Sequence, residues 1–332
     1  MNKKKIFSYN TVLYKITGVQ KVMMDIHYAM SDEYESYVVG NVSYQNVDKN
    51  LGLSKSEYKR WVNPFLFRNS VVFIHERKAL LIFWFLNFFL FQNIKLVYVH
   101  HNIMYGYKWA PMPKCVIAIS DRCSENLTDY FGVKPQLIHK IFNCVKDIHP
   151  NEHKLPSGDK IKILLPARIN EQKQQLEIVK NLNGKLVHNV EILFAGTGPY
   201  YNQLEQLVKE DKNFRVLGFR SDIHQLLQEC DYMMLFSKHE GLPITLIEAT
   251  MCGTPIICND VGGNLEIAHN NENAYVTDSW GELASIINSL PEVTQDEYSR
   301  RSKNSRKIYE QYFTFTNFKK QYLDLVSKIL NY

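Results

Sequence analysis

Several things are missing from this 332-residue chain, and each absence closes a class of explanation. Its six cysteines (Cys115, Cys123, Cys144, Cys230, Cys252, Cys258) keep no metal-ligand spacing and include no Cys-x-x-Cys pair. In a chain this large they read as free thiols in a reducing compartment, packed as small hydrophobes. No apolar run approaches the 20 or so residues that a bilayer-spanning helix needs. The basic start, Met1 to Asn10, is followed by no apolar stretch of leader length, so a cytoplasmic location is expected. A complete Gly-x-Gly-x-x-Gly opening a helix is also lacking, which argues against a nicotinamide-dependent oxidoreductase. There is no internal repeat and no low-complexity tract.

What is present is globular: 45% apolar and 22% charged residues, enough chain for about two domains. The charge is unevenly spread. Residues 1–150 carry 19 Lys and Arg against 11 Asp and Glu, or +8, whereas residues 151–332 carry 20 against 23, or −3. That pattern argues against a nucleic-acid binder basic throughout and points to an anionic partner for the first half.

In the first half, β-branched runs at 5–9, 38–42, 70–75, 95–101 and 115–119 alternate with helical stretches at 19–30, 79–91 and 122–130. A polar segment with Pro156 and Gly158 follows at 150–159 and reads as a linker. Alternation then resumes, with strands at 162–166, 190–195, 214–217, 232–236 and 254–259 and a terminal helix from Asn317. The expectation is α/β: two doubly wound Rossmann-like domains (1–152 and 153–316), helix 317–332 packing back on the first, and ligand in a central cleft.

From Ala79 to Phe91 only Asn87 is polar. As a helix this stretch is about 20 Å long, too short to span a membrane. A helix apolar nearly all round is either buried between layers, which is expected here, or inserted in lipid. The +8 half and Lys3, Lys4 and Lys5 keep contact with an anionic membrane open.

The strongest chemical signal is Phe-Ser-Lys-His-Glu240-Gly241-Leu242-Pro243-Ile244-Thr-Leu-Ile-Glu248. An apolar strand ends, a polar loop holds Glu240, and Pro243 is well suited to the first turn of a new helix. The first amides of that helix, with its dipole, would bind phosphate. Glu240 before the helix and Glu248 on it could then take sugar and ribose hydroxyls.

This arrangement resembles the Glu-x7-Glu motif of retaining GT-B glycosyltransferases of the family-four type. Other landmarks follow in the family's order: Arg168-x4-Lys173, Gly196-Thr-Gly198-Pro199, Leu217-Gly218-Phe219, and Gly253-x-Pro255 leading to Gly262-Gly263-Asn-Leu-Glu266. In the first half, Ser120 and Asn143-Cys144-Val145-Lys-Asp147 match further landmarks, with Cys144 where the family usually has glycine.

The resemblance implies transfer of a sugar from a nucleotide-diphosphate donor, UDP rather than GDP, to an acceptor hydroxyl with retention and with no metal or cofactor; in keeping with that, the sequence has no Asp-x-Asp triplet. Arg168 and Lys173 would hold the diphosphate and neutralise its developing charge. Glu240 would take donor-sugar hydroxyls and Glu248 the ribose, and Gly241, Leu242, Pro243 and Ile244 would form the phosphate-facing turn. Phe219 and Arg220 would lie by the base. Gly18, in Thr17-Gly18-Val19, would let the backbone near the donor phosphates, with Thr17 replacing a second glycine. His101 would contact the donor sugar or the reacting centre, with His100 as the competing assignment and His75 a weaker candidate. The acceptor would be a lipid-linked saccharide, which the basic and apolar first half favours, a surface-polymer intermediate or a soluble molecule, in surface polysaccharide or glycoconjugate synthesis in the cytoplasm or on the inner face of the plasma membrane. Alternatives are an inactive homologue serving as a partner subunit, and a nucleotide-sugar epimerase of the same fold.

Overall fold

The computed structural model describes residues 3–150 and 160–331, so the expected linker lies outside the described residues apart from Pro150. The chain forms two compact units: Met1–Cys144 with Phe315–Tyr332, and Val145–Thr314.

The first unit is built on seven strands: β1 (Lys5–Tyr9), β2 (Glu35–Gly40), β3 (Tyr58–Arg60), β4 (Val71–Ile74), β5 (Lys95–His100), β6 (Cys115–Ala118) and β7 (Ile138–Lys140). They run in the order β3-β2-β1-β4-β5-β6-β7, every neighbouring pair parallel. The order reverses between β1 and β4, so the loops leaving these two strands diverge at a switch point. β4 and β6 are buried throughout, as strands covered on both faces must be. The covering helices are α1 (Gly18–Ser31), α2 (Ala79–Leu90), α3 (Asp121–Glu125) and the C-terminal helix Phe315–Asn331. That last helix buries Phe318, Tyr322, Leu325 and Val326. Tyr322 lies 5.7 Å from the Phe73 ring of β4, and Lys319 pairs with Asp32 just beyond α1.

The second unit repeats the plan with β8 (Ile161–Pro166), β9 (Val190–Ala195), β10 (Phe214–Gly218), β11 (Tyr232–Leu235), β12 (Ile256–Cys258) and β13 (Ala274–Val276), in the order β10-β9-β8-β11-β12-β13. Here the reversal falls between β8 and β11. Six helices accompany it: α4 (Gln175–Leu182), α5 (Tyr201–Leu207), α6 (Ile223–Glu229), α7 (Ile244–Cys252), α8 (Trp280–Ser289) and α9 (Gln295–Ile308). The Asn143–Asp147 landmark has a structural part in this unit. Asp147 receives Arg306 of α9 through two guanidinium nitrogens, which lowers its carboxyl below the usual range.

Two expectations are corrected. The second strand is Glu35–Gly40 rather than 38–42, because the polar Glu35 and Ser36 pair with Lys5 and Ile6 of β1. The more consequential correction concerns α2, which is not buried all round. Ala79, Leu80, Phe83 and Leu86 face inward, while Leu81, Ile82, Trp84, Phe85, Phe88 and Phe89 are each 39% to 58% exposed. A helix on one face of a sheet needs a single apolar stripe to cover it; this one carries two. Among the described residues no helix is long and apolar enough to cross a membrane.

Candidate active site

In the second unit the loops leaving β8 and β11 lie on either side of the switch point. The β8 loop runs Ala167-Arg168-Ile169 and is closely backed by the glycine turn after β9. A Cβ on Gly196 would stand 2.1 Å from the Ala167 carbonyl oxygen, and one on Gly198 would stand 2.1 Å from that of Ile169. The two glycines are therefore required by backbone approach. The Arg168 side chain itself is exposed.

Gln175, at the start of α4, fastens this loop from within. It is buried, donates to the Arg168 carbonyl at 3.1 Å and accepts from the Asn170 amide at 3.3 Å. Asn170 in turn accepts from the Lys173 amide at 3.0 Å. Sequence reasoning missed Gln175, because a glutamine opening a helix carries no local signal.

Lys173 reaches across to the β11 loop, where its Nζ lies 2.5 Å from Glu240 Oε1. Both side chains are largely shielded, 17% and 7% exposed, so the ion pair is held at low effective dielectric. Further bonds lace the two loops together: Gln172 donates to the His239 carbonyl at 2.8 Å, and the Lys238 amide donates to the Gln172 carbonyl at 2.8 Å. Behind Glu240 sits the turn after β12. Gly262 has φ +58°, and a Cβ there would come within 2.0 Å of the Glu240 carbonyl oxygen; the Gly263 amide donates to the Gly241 carbonyl at 2.8 Å.

The β11 loop turns into α7 at Pro243. Pro243 is the residue before the helix, with extended backbone, rather than its first turn. Gly241, Leu242 and Pro243 are buried, while Ile244 is half-buried. The first amides of α7 have no acceptor within the helix by position and carry the positive end of its dipole. Glu248, one and a half turns on, is buried with His224 Nε2 at 3.5 Å. After β10, the Phe219 ring is 76% exposed, and the Arg220 guanidinium is engaged by the Asp222 carboxylate through two nitrogens.

In the first unit, Gly18 is exposed and opens α1 after Thr17. Gln20 shapes this turn by accepting from the Thr17 amide at 3.0 Å and donating to the Val12 carbonyl at 2.8 Å. His100 is fully buried, with Nε2 2.9 Å from Asn126 Oδ1 and Nδ1 3.2 Å from the Tyr98 hydroxyl. Both of its ring nitrogens are occupied by structural partners, and His101 is the less deeply buried member of the pair. His75, following β4, meets the His101 ring edge to edge, its Nδ1 2.8 Å from His101 Nε2. Burial lowers His100 to about 4 and His101 to about 3, and holds His75 well below the ordinary value. All three are neutral at pH 7. Ser120, another landmark, caps α3 by accepting from the Cys123 amide at 3.1 Å.

Two parallel-sheet Rossmann-like domains of this construction define the GT-B fold. Solved structures of that fold cover nearly the whole chain: Anabaena Alr3699/HepE in complex with UDP (TM-score 0.83, 20% identity, 98% of this chain and 100% of that one) and the lipopolysaccharide outer core galactosyltransferase WaaB (TM-score 0.80, 15% identity, 98% and 99%). Residues 146–309, nearly the whole of the second unit, match the glycosyl transferases group 1 family.

Two curated relatives are similar over shorter stretches. The UDP-Gal:alpha-D-GlcNAc-diphosphoundecaprenol alpha-1,3-galactosyltransferase of Escherichia coli is 27% identical across 66% of this chain and 61% of its own length. The N-acetyl-alpha-D-glucosaminyl L-malate synthase of Bacillus anthracis is 28% identical across 46% and 42%. The matches thus span less than two thirds of either relative.

Proposed function

We propose that this protein is a retaining glycosyltransferase that moves a sugar from a UDP-sugar to a hydroxyl of a lipid-linked saccharide, in surface polysaccharide or glycoconjugate synthesis at the inner face of the plasma membrane. One observation carries the reading. Arg168 and the Lys173–Glu240 pair stand on loops leaving β8 and β11, where the strand order reverses, and α7 begins directly after them. In open α/β sheets ligands bind at this position.

Arg168 and Lys173 hold the diphosphate and offset the charge that grows on it as the sugar leaves. Lys173, already on Glu240, ties the diphosphate site to the carboxylate that takes sugar hydroxyls. The start of α7 faces phosphate, Glu248 takes ribose hydroxyls, and the exposed Phe219 ring lies by the base. Arg220 is bound to Asp222, so its part at the base is through its main chain. These cations and the helix dipole serve where another enzyme would use a metal, so activity should survive chelation by EDTA. With both carboxylates binding hydroxyls, we assign a front-face route in which the leaving phosphate helps deprotonate the acceptor and His101 contacts the donor sugar. Trapping a glycosyl–enzyme adduct by rapid-quench mass spectrometry would overturn that route.

The UDP complex of Anabaena Alr3699/HepE supports the choice of base. The diphosphoundecaprenol acceptor in the name of the Escherichia coli relative supports a lipid-linked acceptor. The test is a nucleotide-sugar panel read by thermal shift and product analysis on the wild type, Glu240→Ala and Lys173→Ala. One donor should stabilise the wild type and neither variant. Absence of any nucleotide or nucleotide-sugar response would favour an inactive partner subunit, and conversion of the donor without an acceptor would favour an epimerase.

A further inference from the structure

We infer that the outward stripe of α2 is a membrane-docking face whose occupant is the headgroup–acyl boundary of an anionic bilayer. The stripe runs at helical spacing, with Leu81, Trp84, Phe85 and Phe88 three or four residues apart and Ile82 and Phe89 beside them, all exposed. The only polar residue of the helix, Asn87, is engaged elsewhere. Its amide donates to the Ile94 carbonyl at 2.8 Å and its oxygen accepts from the Ile94 amide at 2.8 Å, pinning the loop that follows. Past the helix end Phe91 is 82% exposed and continues the apolar surface. At twelve residues α2 is about 18 Å long, too short to cross a bilayer but long enough to lie along its surface.

Charge decides among occupants. From Arg77 to Ser120 there is no Asp or Glu; Arg77 is buried, Lys95 is half-buried, and Lys78, Lys108 and Lys114 are exposed. The nearest preceding acid, Glu76, is bonded to the Thr11 hydroxyl at 2.7 and 2.8 Å. Arg77 brings part of this segment to the start of α2: it donates to the carbonyls of Tyr107, at 3.3 Å, and Ala110, and Lys78 Nζ sits 5.2 Å from the Tyr107 ring. The loop so held exposes Tyr105, Lys108 and Trp109. An apolar stripe bordered by lysines and amphipathic rings matches the polarity gradient of an anionic lipid surface. A two-fold contact with a second copy would instead set this cationic patch against itself.

The inference deepens the lipid-linked-acceptor reading and rests on it for its purpose, but the contact is tested without any donor. The full chain is sedimented with phosphatidylcholine vesicles with and without phosphatidylglycerol. The wild type, Trp84→Ser/Phe88→Ser and Lys108→Glu are compared, and unchanged thermal melting serves as the check on folding. Binding should require phosphatidylglycerol, weaken with added salt, and fall roughly tenfold or more in the double variant. The emission of wild-type tryptophan should shift to the blue on binding and be quenched by brominated lipid. Three results would overturn the proposal: no binding to anionic vesicles at low salt, binding that the double variant leaves intact, or a wild-type dimer in vesicle-free solution that the double variant splits. Vesicle binding by a protein that ignores every nucleotide would remove the enzymatic reading and leave the docking face standing.

Discussion

The rings of His75 and His101 lie edge to edge, with centroids 5.1 Å apart and 23° between planes, and Nδ1 of His75 is 2.8 Å from Nε2 of His101. Nε2 of His75 is buried without a hydrogen-bond partner. A buried N–H without an acceptor is rarer than an unfilled acceptor, so the proton of His75 belongs on Nδ1, donated to His101. That fixes His101 as the Nδ1–H tautomer.

His75→Asn, which keeps an N–H near the Nδ1 position, should therefore retain turnover within a few fold. His75→Phe should lose roughly ten- to a hundredfold in kcat with little change in donor KM. Nitrogen-15 spectra of the His101 ring should show a shifted tautomer balance only in the phenylalanine variant, a change that general loosening of the fold would not produce.

Removing one member of the Lys173–Glu240 pair leaves a shielded charge without its partner, at a cost of about 3 kcal/mol. Lys173→Ala should lower the melting temperature and abolish the thermal response to UDP. The double change Lys173→Met with Glu240→Leu should recover most of the stability and none of the UDP response. Calorimetry with and without UDP separates the two effects.

Gly262 both occupies the left-handed region and leaves no room for a Cβ against the Glu240 backbone. Gly262→Ala should cost about 1–2 kcal/mol for the conformation alone. Relief of the clash should displace Glu240, weakening UDP binding beyond what the melting temperature predicts. Gly184, also at positive φ but with open space around it, is the control: Gly184→Ala should lower stability modestly and leave UDP binding unchanged.

At the amino end of β11, burial pushes the Asp231 carboxyl up to about 6, opposed by the Lys162 amide that donates to it at 2.7 Å. Its folded value exceeds its unfolded one, so the native state binds the extra proton. The associated stability is full below about pH 4 and is lost as pH rises through 6, on the order of 2–3 kcal/mol. Asp231→Asn, which can still accept from Lys162, should be more stable than the wild type at pH 7.5 and nearly equal to it at about pH 3.5. Urea unfolding at the two values checks this.

The fold was legible because parallel strands buried on both faces read as continuous apolar runs, as in Val190–Ala195, whose bounds the sequence marks residue for residue. The sequence reading passed over β3, β7 and β13, which have only three residues each and too little length for a pattern. It also passed over α9, whose Gln295–Ile308 sequence is largely charged and shows no continuous apolar stripe. Within the candidate site, the motif residues were visible as residues, but their contacts were not. Nothing in a linear spacing of 67 positions announces that Lys173 meets Glu240, or that Gln175 holds the carbonyl of Arg168. The two faces of α2 were hidden for a different reason: a stripe that covers a sheet and one that faces outward have the same composition.

The unit that holds β1 is walled in by Phe318, Tyr322 and Val326, which belong to the last helix of the chain. On the ribosome, the second unit is therefore complete in sequence while the first still lacks part of its interior. The domain begun first is completed only after the second, and β1 and β4 must wait for Phe315–Asn331 to emerge before their side of the core can close.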